Sequence, residues 1–155
     1  MNYPVAFEAN EILPGLWLGS AADAGNLEAL RARGIIGILN VADDVQDVFP
    51  GLFNYMRLDV RDGGQDTGIS RVFPRALAFT REALKGGPLL VHCAWGINRS
   101  ATIVTFLVMN LTGRTLLDSY NLVKSRRPRI FLLADNLREL QKYELATRGV
   151  ITLKS

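Results

Sequence analysis

The chain has 155 residues, the size of one domain built around one hydrophobic core. Hydrophobic residues make up 48% of it and charged residues 21%, which is typical of globular proteins and excludes a disordered or collagen-like chain. The net charge of +3 mildly favours acidic ligands such as phosphorylated molecules but is too small to indicate nucleic acid binding, and we expect one domain over residues 1–155.

The first part of the chain predicts strands that alternate with one helix. Ser20 is a suitable N-cap for that helix, and Gly34 ends it just after Arg33. Runs of apolar residues, or of alternating apolar and polar residues, lie before and after this helix and predict strands. The first predicted strand contains a turn at Pro14-Gly15. The predicted strands span residues 12–18, 35–41 and 55–60, and an acidic loop covers 43–51.

The remainder of the chain contains one short strand and four predicted helices. Residues 62–66 read Asp-Gly-Gly-Gln-Asp and predict a loop. Residues 88–91, Pro-Leu-Leu-Val, are wholly apolar, as expected of a central strand that is covered on both faces. Helices that alternate with buried strands indicate an α/β fold, with a single central, mostly parallel sheet flanked by helices. The predicted helices span residues 69–84, 100–111, 116–125 and 136–147.

The cysteine count and the hydropathy pattern bear on the cellular compartment. The one cysteine has no partner for an internal disulfide, which is typical of a reducing environment. No apolar stretch reaches about 18 residues, and the first residues lack the basic and apolar segments of a secretory signal. We therefore expect an intracellular, cytoplasmic protein without a membrane span.

The basic residues are scattered, apart from one cluster at 124–129, Lys-Ser-Arg-Arg-Pro-Arg. This cluster follows the helix predicted over 116–125. Our preferred interpretation is a solvated helix end, because lysine and arginine are common in the last turn of a helix and just beyond it. The alternative is a patch that faces a substrate or a partner.

Residues 91–100, Val-His-Cys-Ala-Trp-Gly-Ile-Asn-Arg-Ser, carry the clearest chemical signal. They follow the buried strand and open a helix, where backbone N–H groups and the helix N-terminus form an anion site. Cys93 begins this loop, and the helix end together with Arg99 favours its thiolate, the nucleophilic form. The guanidinium of Arg99 can bind two phosphate oxygens at once. Gly96 has no Cβ and so lets the backbone turn close to the ligand.

The neighbours of these two residues have more than one interpretation. His92 is the only histidine, and on a strand it should point away from the Cys93 thiol, so we expect it to order the loop rather than act as a base. Packing alone is the alternative for His92. Ser100 suits a helix N-cap, and its hydroxyl could also stabilise the departing thiolate; the two roles are compatible.

The rest of the loop is predicted to surround the substrate. Trp95 is unusually large for its position, so it either narrows the pocket, lines its rim or packs internally. A zinc site is a poor fit because the only histidine and the only cysteine are adjacent, and we expect neither a metal nor another cofactor. The predicted substrate-binding residues are Ala94, Trp95, Gly96, Ile97, Asn98 and Arg99.

A carboxylic acid near the phosphate site would protonate the leaving group, which is worth about 10²- to 10⁴-fold in rate. Three aspartates lie between the third predicted strand and the next helix. Asp62 is favoured because it begins a glycine-containing loop that could close over the site. Asp66 is the second candidate and Asp59 the third, since Asp66 could instead serve the helix dipole and Asp59 falls within the strand pattern.

His-Cys-x5-Arg-Ser after an apolar strand resembles the active-site loop of the cysteine-dependent protein phosphatases, and of the dual-specificity group in particular. The resemblance covers about residues 11–144 and includes Asp62, which precedes Cys93 by 31 residues. One departure is Leu132-Leu133, which replaces the Pro-Asn that often braces the site in that family. The other similar segments are 12–20, 34–42, 58–62, Arg127-Pro128 and Leu140-x3-Glu144.

The resemblance implies a phosphatase-like fold and a role for each matching residue. Cys93 would form a phospho-cysteine, Arg99 would bind phosphate, and Asp62 would act first as acid and then as base. Ser100 would assist departure of the thiolate, and Asn40 would support the loop. The implied activity is metal-independent hydrolysis of phosphomonoesters.

The substrate class is left open by the sequence. The first hypothesis is a phosphorylated protein, with phosphotyrosine as substrate and phosphoserine and phosphothreonine in addition. The second is the same chemistry on a phosphoglycan, an RNA 5′-phosphate or a phosphoinositide, although residues 94–98 lack the basic side chains typical of lipid-directed relatives. The third is a catalytically silent phospho-binding module, which disagrees with the presence of both Cys93 and Arg99.

Overall fold

The structure is a computed structural model that describes residues 6–63 and 66–155. Within these residues, five short strands form one sheet in the order β1-β2-β5-β3-β4. Only β1 and β2 pair antiparallel, while β2, β5, β3 and β4 run parallel. The predicted mostly parallel central sheet is therefore confirmed. The strands are β1 (Asn10–Leu13), β2 (Leu16–Gly19), β3 (Gly37–Asn40), β4 (Asn54–Arg57) and β5 (Leu89–His92).

Helices flank the sheet on both faces, and the longer ones lie in the second half of the chain. None of the helices in the described ranges is both long and apolar enough to cross a membrane. A 3₁₀ turn over Ile69–Val72 leads directly into the third α-helix. The helices are α1 (Ala21–Ala24), α2 (Leu27–Ala32), α3 (Phe73–Gly86), α4 (Arg99–Thr112), α5 (Leu116–Arg126) and α6 (Ala134–Arg148).

Two predicted elements near the N-terminus are each divided in the structure. The strand predicted over 12–18 is a β1–β2 hairpin, because Gly15 has a φ of 81° at the turn, a conformation that glycine adopts without strain. The helix predicted from Ser20 to Arg33 is two short helices. Ser20 caps α1 as predicted, but the Asn26 side chain accepts a hydrogen bond from the Ala29 N–H at 3.1 Å and so caps α2.

The core lies on both faces of the sheet, as strand alternation requires. Leu89 and Val91 of β5 pack into the larger cluster, and Leu90 between them packs with Leu30 and Ile38 on the other face. β5 is the middle strand, and its four residues are all buried. The loop that follows β5 is therefore positioned by a fully buried strand at the middle of the sheet.

Glu144 on α6 is buried and links the C-terminal segment to α5. Its carboxylate accepts hydrogen bonds from the Leu116 N–H at 2.8 Å and the Thr152 N–H at 2.7 Å. Burial tends to raise the pKa of Glu144, but the hydrogen bonds together outweigh it, so its pKa lies below the ordinary value of 4.5. A carboxyl whose pKa is lowered on folding stabilises the fold above its ordinary pKa, and this contribution is lost as the pH falls through the lowered value.

Glu144→Gln should therefore lower the free energy of unfolding by about 1–3 kcal/mol at pH 7, because its amide group turns a donor towards one of the two N–H groups. The deficit should begin to shrink below pH 4.5, where Glu144 of the unfolded chain becomes protonated, and should shrink further as the pH falls through the lowered pKa of the folded protein. Urea unfolding of the native protein and the variant at several pH values measures this difference in the free energy of unfolding. Glu82→Gln is the matched control, since that side chain is exposed on α3, and a pH-independent deficit in Glu144→Gln would contradict the assignment.

Candidate active site

The loop between β5 and α4 wraps around the Cys93 sulfur. Cys93 is 3% exposed, and the Gly96 N–H donates a hydrogen bond to its Sγ at 3.3 Å. The Ser100 hydroxyl lies 3.1 Å from the same sulfur. Ser100 is the second residue of α4 and not its N-cap, which is Asn98, so the N-cap prediction for Ser100 is wrong. The hydroxyl is instead placed where it can donate to a thiolate.

Arg99 is almost fully buried and is held along one side of its guanidinium. Its Nη1 donates to the Val60 carbonyl at 3.0 Å, to Asp44 at 2.9 Å and to Asp43 at 3.4 Å. Its Nε is buried without a hydrogen-bond partner in the described residues. A buried N–H without a partner is costly, so this edge of the guanidinium suits an anionic oxygen that the loop would bring to it.

The charges around Arg99 stabilise its cationic form. Burial lowers the pKa of Arg99, but the hydrogen bond to Asp44 and the charges of Cys93 and Asp62 outweigh it, so that the pKa lies above its ordinary value. The same hydrogen bond from Arg99 lowers the pKa of Asp44. Asp44 therefore remains an anion that orients the guanidinium while leaving Nε without a hydrogen bond.

Asp62 lies beside this loop. Its Oδ1 accepts a hydrogen bond from Asn98 Nδ2 at 2.9 Å, and its Oδ2 lies 3.7 Å from Arg99 Nε. The Asp62 side chain is 43% exposed, and it lines a cavity of about 180 Å³ together with Cys93. The carboxyl that the sequence favoured as the general acid is therefore close to the nucleophile.

The other two aspartates occupy different surroundings. Asp66 has a side chain that is only 3% exposed and that binds Arg71 at 2.7 Å and the backbone N–H groups of Arg61 and Gly68 at 2.9 Å each. Asp59 is 76% exposed and pairs with Arg57. Asp66 is thus occupied in holding its own loop, and neither residue lines the cavity that contains Cys93. Gly64 and Gln65 of the predicted loop lie outside the described residues.

Asn98 connects three parts of the site. While its Nδ2 binds Asp62, its Oδ1 accepts hydrogen bonds from the Leu133 N–H at 2.9 Å and from Asn136 Nδ2 at 3.1 Å. The sequence placed Asn98 among the substrate-binding residues and did not predict this bridging role. The backbone of Leu133 and the side chain of Asn136 thereby brace the site, although Leu132-Leu133 replaces the Pro-Asn pair of the resembled family.

His92 is buried and directed at the backbone of the loop. Its Nδ1 lies 3.1 Å from the Cys93 carbonyl oxygen, so the ring N–H donates to it. Burial lowers the pKa of His92 below its ordinary value of 6.5, so the ring is neutral near pH 7. This geometry agrees with the expected ordering role. Asn40, by contrast, donates to the Val45 carbonyl at 2.7 Å and so holds the acidic loop, not the Cys93 loop.

Gly96 and Arg127 meet at a close contact. Gly96 has a φ of 67°, and a Cβ there would lie 2.7 Å from Arg127 Nη2 and against the Gly19 carbonyl. Arg127 is fully buried, and it donates to the Gly96 carbonyl at 2.8 Å and the Trp95 carbonyl at 3.3 Å. Neither interpretation of the basic cluster fits Arg127, because it is an internal brace of the loop.

Arg127→Met should lower the free energy of unfolding by about 3 kcal/mol or more, because it removes a fully buried charged donor that serves four acceptors, one of them in the buried loop. The lost donors also serve the Glu8 carbonyl and Asn10 Oδ1, at 2.9 and 2.8 Å. Arg129→Met is the matched control: Arg129 is 52% exposed and pairs with Glu8 at the surface, worth about 1 kcal/mol or less. Equal losses in the two variants, measured by chemical denaturation, would contradict the bracing role.

Of the remaining loop residues, Ala94 anchors the loop, and Trp95 and Ile97 line the cavity. The Ala94 carbonyl accepts the Ala21 N–H at 3.0 Å, which ties the loop to α1. Trp95 and Ile97 line the cavity above Cys93, and Trp95 is 72% exposed. Internal packing is therefore excluded for Trp95, and the two predicted positions at the pocket, narrowing it or lining its rim, remain.

Three contributions were missed from the sequence: the anchoring of Arg99 by Asp43 and Asp44, the bridge at Asn98, and the brace at Arg127. The two aspartates lie about 55 residues from Arg99 along the chain, so no local spacing connects them. The only available signal for Arg127 was its place in Arg127-Pro128, a segment that resembles a known family.

Comparison with known proteins finds relatives that match most of this chain. Human dual specificity protein phosphatase 9 is 36% identical over 151 residues, which cover 94% of this chain and 39% of that protein. Dual specificity protein phosphatase 1B of Arabidopsis thaliana is 32% identical over 143 residues, which cover 92% of this chain and 85% of that protein. The chain thus spans about two fifths of the human relative's length.

A solved structure shows the same fold. The human tyrosine phosphatase-like serine/threonine/tyrosine-interacting protein superimposes with a TM-score of 0.82 at 35% identity, covering 91% of this chain and 98% of that one. The family model described as "Dual specificity phosphatase, catalytic domain" matches residues 16–146, which include every candidate site residue. The chain belongs to the dual specificity phosphatase catalytic domain family.

Proposed function

We propose that this protein is a metal-independent phosphomonoester hydrolase that dephosphorylates proteins on tyrosine, and on serine and threonine, through a phospho-cysteine. The observation that supports this most is the meeting of three groups at one site. Cys93 and Asp62 line a single cavity, and the unpartnered Nε edge of Arg99 lies 3.7 Å from Asp62. Dual specificity phosphatases among the relatives support the same activity.

In the first step, the Cys93 thiolate attacks phosphorus and forms a sulfur–phosphorus bond as the bond to the ester oxygen breaks. Asp62 gives its proton to that oxygen, so the product leaves as an alcohol or phenol. Arg99, through the Nε that has no hydrogen-bond partner in the described residues, and the loop N–H groups stabilise the charge on the transferred phosphoryl oxygens.

In the second step, a water molecule attacks phosphorus while Asp62, now a carboxylate, accepts its proton. The sulfur–phosphorus bond breaks, inorganic phosphate forms and Cys93 leaves as a thiolate. The Ser100 hydroxyl and the Gly96 N–H stabilise that thiolate through the contacts of 3.1 and 3.3 Å. Atoms and protons balance over the two steps, with water consumed and Asp62 returned to its acid form.

A phospho-binding module is a second candidate, because one structural relative is described as a phosphatase-like interacting protein. The presence of Cys93, Arg99 and Asp62 together favours hydrolysis over binding alone. The lone cysteine, which the mechanism requires as a free thiolate, supports our further proposal of a reducing, cytoplasmic location.

The test is hydrolysis of matched phosphotyrosine, phosphothreonine and phosphoserine peptides in EDTA with the thiol reduced. Release of phosphate from the peptides supports the proposal, and a phosphoglycan and an RNA 5′-phosphate serve as competing substrates. If phosphate were released faster from the phosphoglycan or the RNA 5′-phosphate than from the peptides, that compound would replace phosphorylated proteins as the proposed substrate class. Binding of phosphopeptides without release of phosphate would favour the module.

A further inference from the structure

The cavity above Cys93 has an apolar wall that phosphate chemistry does not require. Four apolar side chains line it next to Cys93, Asp62 and Asn98, and none of its described lining residues is basic. The phosphate group of a substrate would lie at Cys93, where the Gly96 N–H points at the sulfur, and would fill only that end of the cavity. The wall must therefore contact the organic part of the phosphoester. The four side chains are Trp95, Ile97, Phe131 and Leu133.

Two of these four side chains are large aromatic groups that are exposed to solvent. Trp95 is 72% exposed and Phe131 is 66% exposed, the highest values among the large hydrophobic residues that the structure describes as exposed. Each comes from a different segment, one from the β5–α4 loop and the other from the segment between α5 and α6. Exposed aromatics that converge on a functional cavity are typical of a binding surface.

The wall is held in place before any ligand arrives. The Phe131 N–H donates to the Ile97 carbonyl at 2.9 Å, and the Leu133 N–H donates to Asn98 Oδ1 at 2.9 Å. The Trp95 carbonyl accepts a hydrogen bond from Arg127. Because both segments are anchored to the same loop, the backbone that carries the two aromatic side chains needs little ordering when a ligand binds, which favours affinity.

The apolar character of the wall determines which organic group of a phosphoester fits against it. The occupant is joined to the phosphate at Cys93, so it is the group that carries the ester oxygen. A phenyl ring matches aromatic and aliphatic neighbours, gaining burial and ring contacts. The side chains of phosphoserine and phosphothreonine carry only one or two carbon atoms beyond Cα, so they bring little apolar surface to the wall. A polyhydroxylated sugar or inositol would leave its hydroxyls facing apolar side chains.

We propose that Trp95 and Phe131 form an aryl-binding subsite that makes the protein prefer phosphotyrosine over phosphothreonine and phosphoserine. This inference rests on the proposed hydrolase function and names its preferred substrate. Trp95 and Phe131 are specificity residues, and they contact the ring rather than the reacting atoms. Removing either one should weaken the reaction of aryl esters while leaving that of alkyl esters nearly unchanged.

The test is the ratio of kcat/KM for a phosphotyrosine peptide to that for the phosphothreonine peptide of the same sequence. Trp95→Ala and Phe131→Ala should each lower this ratio about 5- to 10-fold, because kcat/KM for the phosphotyrosine peptide falls. Trp95→Phe should retain most of the native ratio. Leu145→Ala is the matched control, because Leu145 is 50% exposed on α6 and does not line the cavity. Its ratio should equal that of the native protein.

Two different failures are distinguishable in this experiment. If native protein hydrolyses both peptides and the ratio does not change in Trp95→Ala and Phe131→Ala, the subsite is wrong and the hydrolase function stands. If native protein hydrolyses neither peptide, the proposed protein phosphatase function is wrong, and the subsite, which rests on it, is wrong as well. A fall in both kcat/KM values by the same factor would also overturn the subsite, because it would indicate damage to the loop.

Discussion

Cys93→Ser is expected to abolish hydrolysis of aryl phosphates, with a fall in kcat on the order of 10⁵-fold or more, as for loss of a covalent nucleophile. The serine hydroxyl stays protonated near neutral pH, so the loop then holds no anionic nucleophile. The change replaces one buried atom, and the N–H groups of the loop and Arg99 remain in place. Steady-state release of phosphate in EDTA measures the effect.

Phosphate binding should survive this substitution, which separates the chemistry from the fold. Cys93→Ser should bind a phosphotyrosine peptide with measurable affinity by calorimetry, because the Arg99 Nε edge and the loop N–H groups still face the anion. Its thermal midpoint should lie close to that of the native protein. Hydrolysis at more than a few per cent of the native rate would show that another group attacks phosphorus.

Asp62→Asn is expected to lower kcat about 10²- to 10³-fold on a phosphotyrosine peptide, since the variant has no proton to give to the phenolic oxygen. The amide that replaces the carboxyl retains an oxygen that can accept the 2.9 Å hydrogen bond from Asn98, so the local structure should persist. The loss should be smaller for an aryl phosphate with a strongly acidic phenol, because that leaving group departs without protonation. Comparing kcat across phenols of different acidity measures this dependence.

Asp66→Asn and Asp59→Asn are matched controls on the neighbouring positions. Asp66 binds Arg71 and two backbone N–H groups, so its replacement should reduce stability and leave the dependence on phenol acidity unchanged. Asp59 is exposed and should show no effect on either property. If Asp66→Asn, and not Asp62→Asn, steepened the dependence on phenol acidity, Asp66 would be the general acid.

The sheet and the Cys93 loop could be predicted because their signals are local. A wholly apolar strand at 88–91 followed by a glycine-containing loop and a helix defines one continuous unit, and the structure has β5, the loop and α4 in that order. The turn at Pro14-Gly15 was predicted, but the division of the strand into a paired hairpin and the second cap at Asn26 were missed for a related reason. Each depends on a single residue that divides an otherwise plausible continuous element.

The supports of the site could not be predicted because they join distant segments. Asp44 reaches Arg99 across 55 residues, and Asn98 reaches Asp62 across 36 residues and Asn136 across 38. Arg127 has the same residue type as its exposed neighbour Arg129, and only the burial of Arg127 against the Cys93 loop and the start of β1 distinguishes them. Periodicity and capping rules describe chain segments and carry no information on which segments meet.

The central claim is that Cys93 itself carries the phosphoryl group during turnover. The most direct measurement is mass spectrometry of protein quenched in acid within milliseconds of mixing with a phosphotyrosine peptide. We predict that the peptide containing Cys93 gains the mass of one phosphoryl group, that the signal decays as substrate is exhausted, and that Cys93→Ser never shows it. Turnover without a phosphorylated Cys93 peptide, or with the phosphoryl group on another residue, would contradict the account.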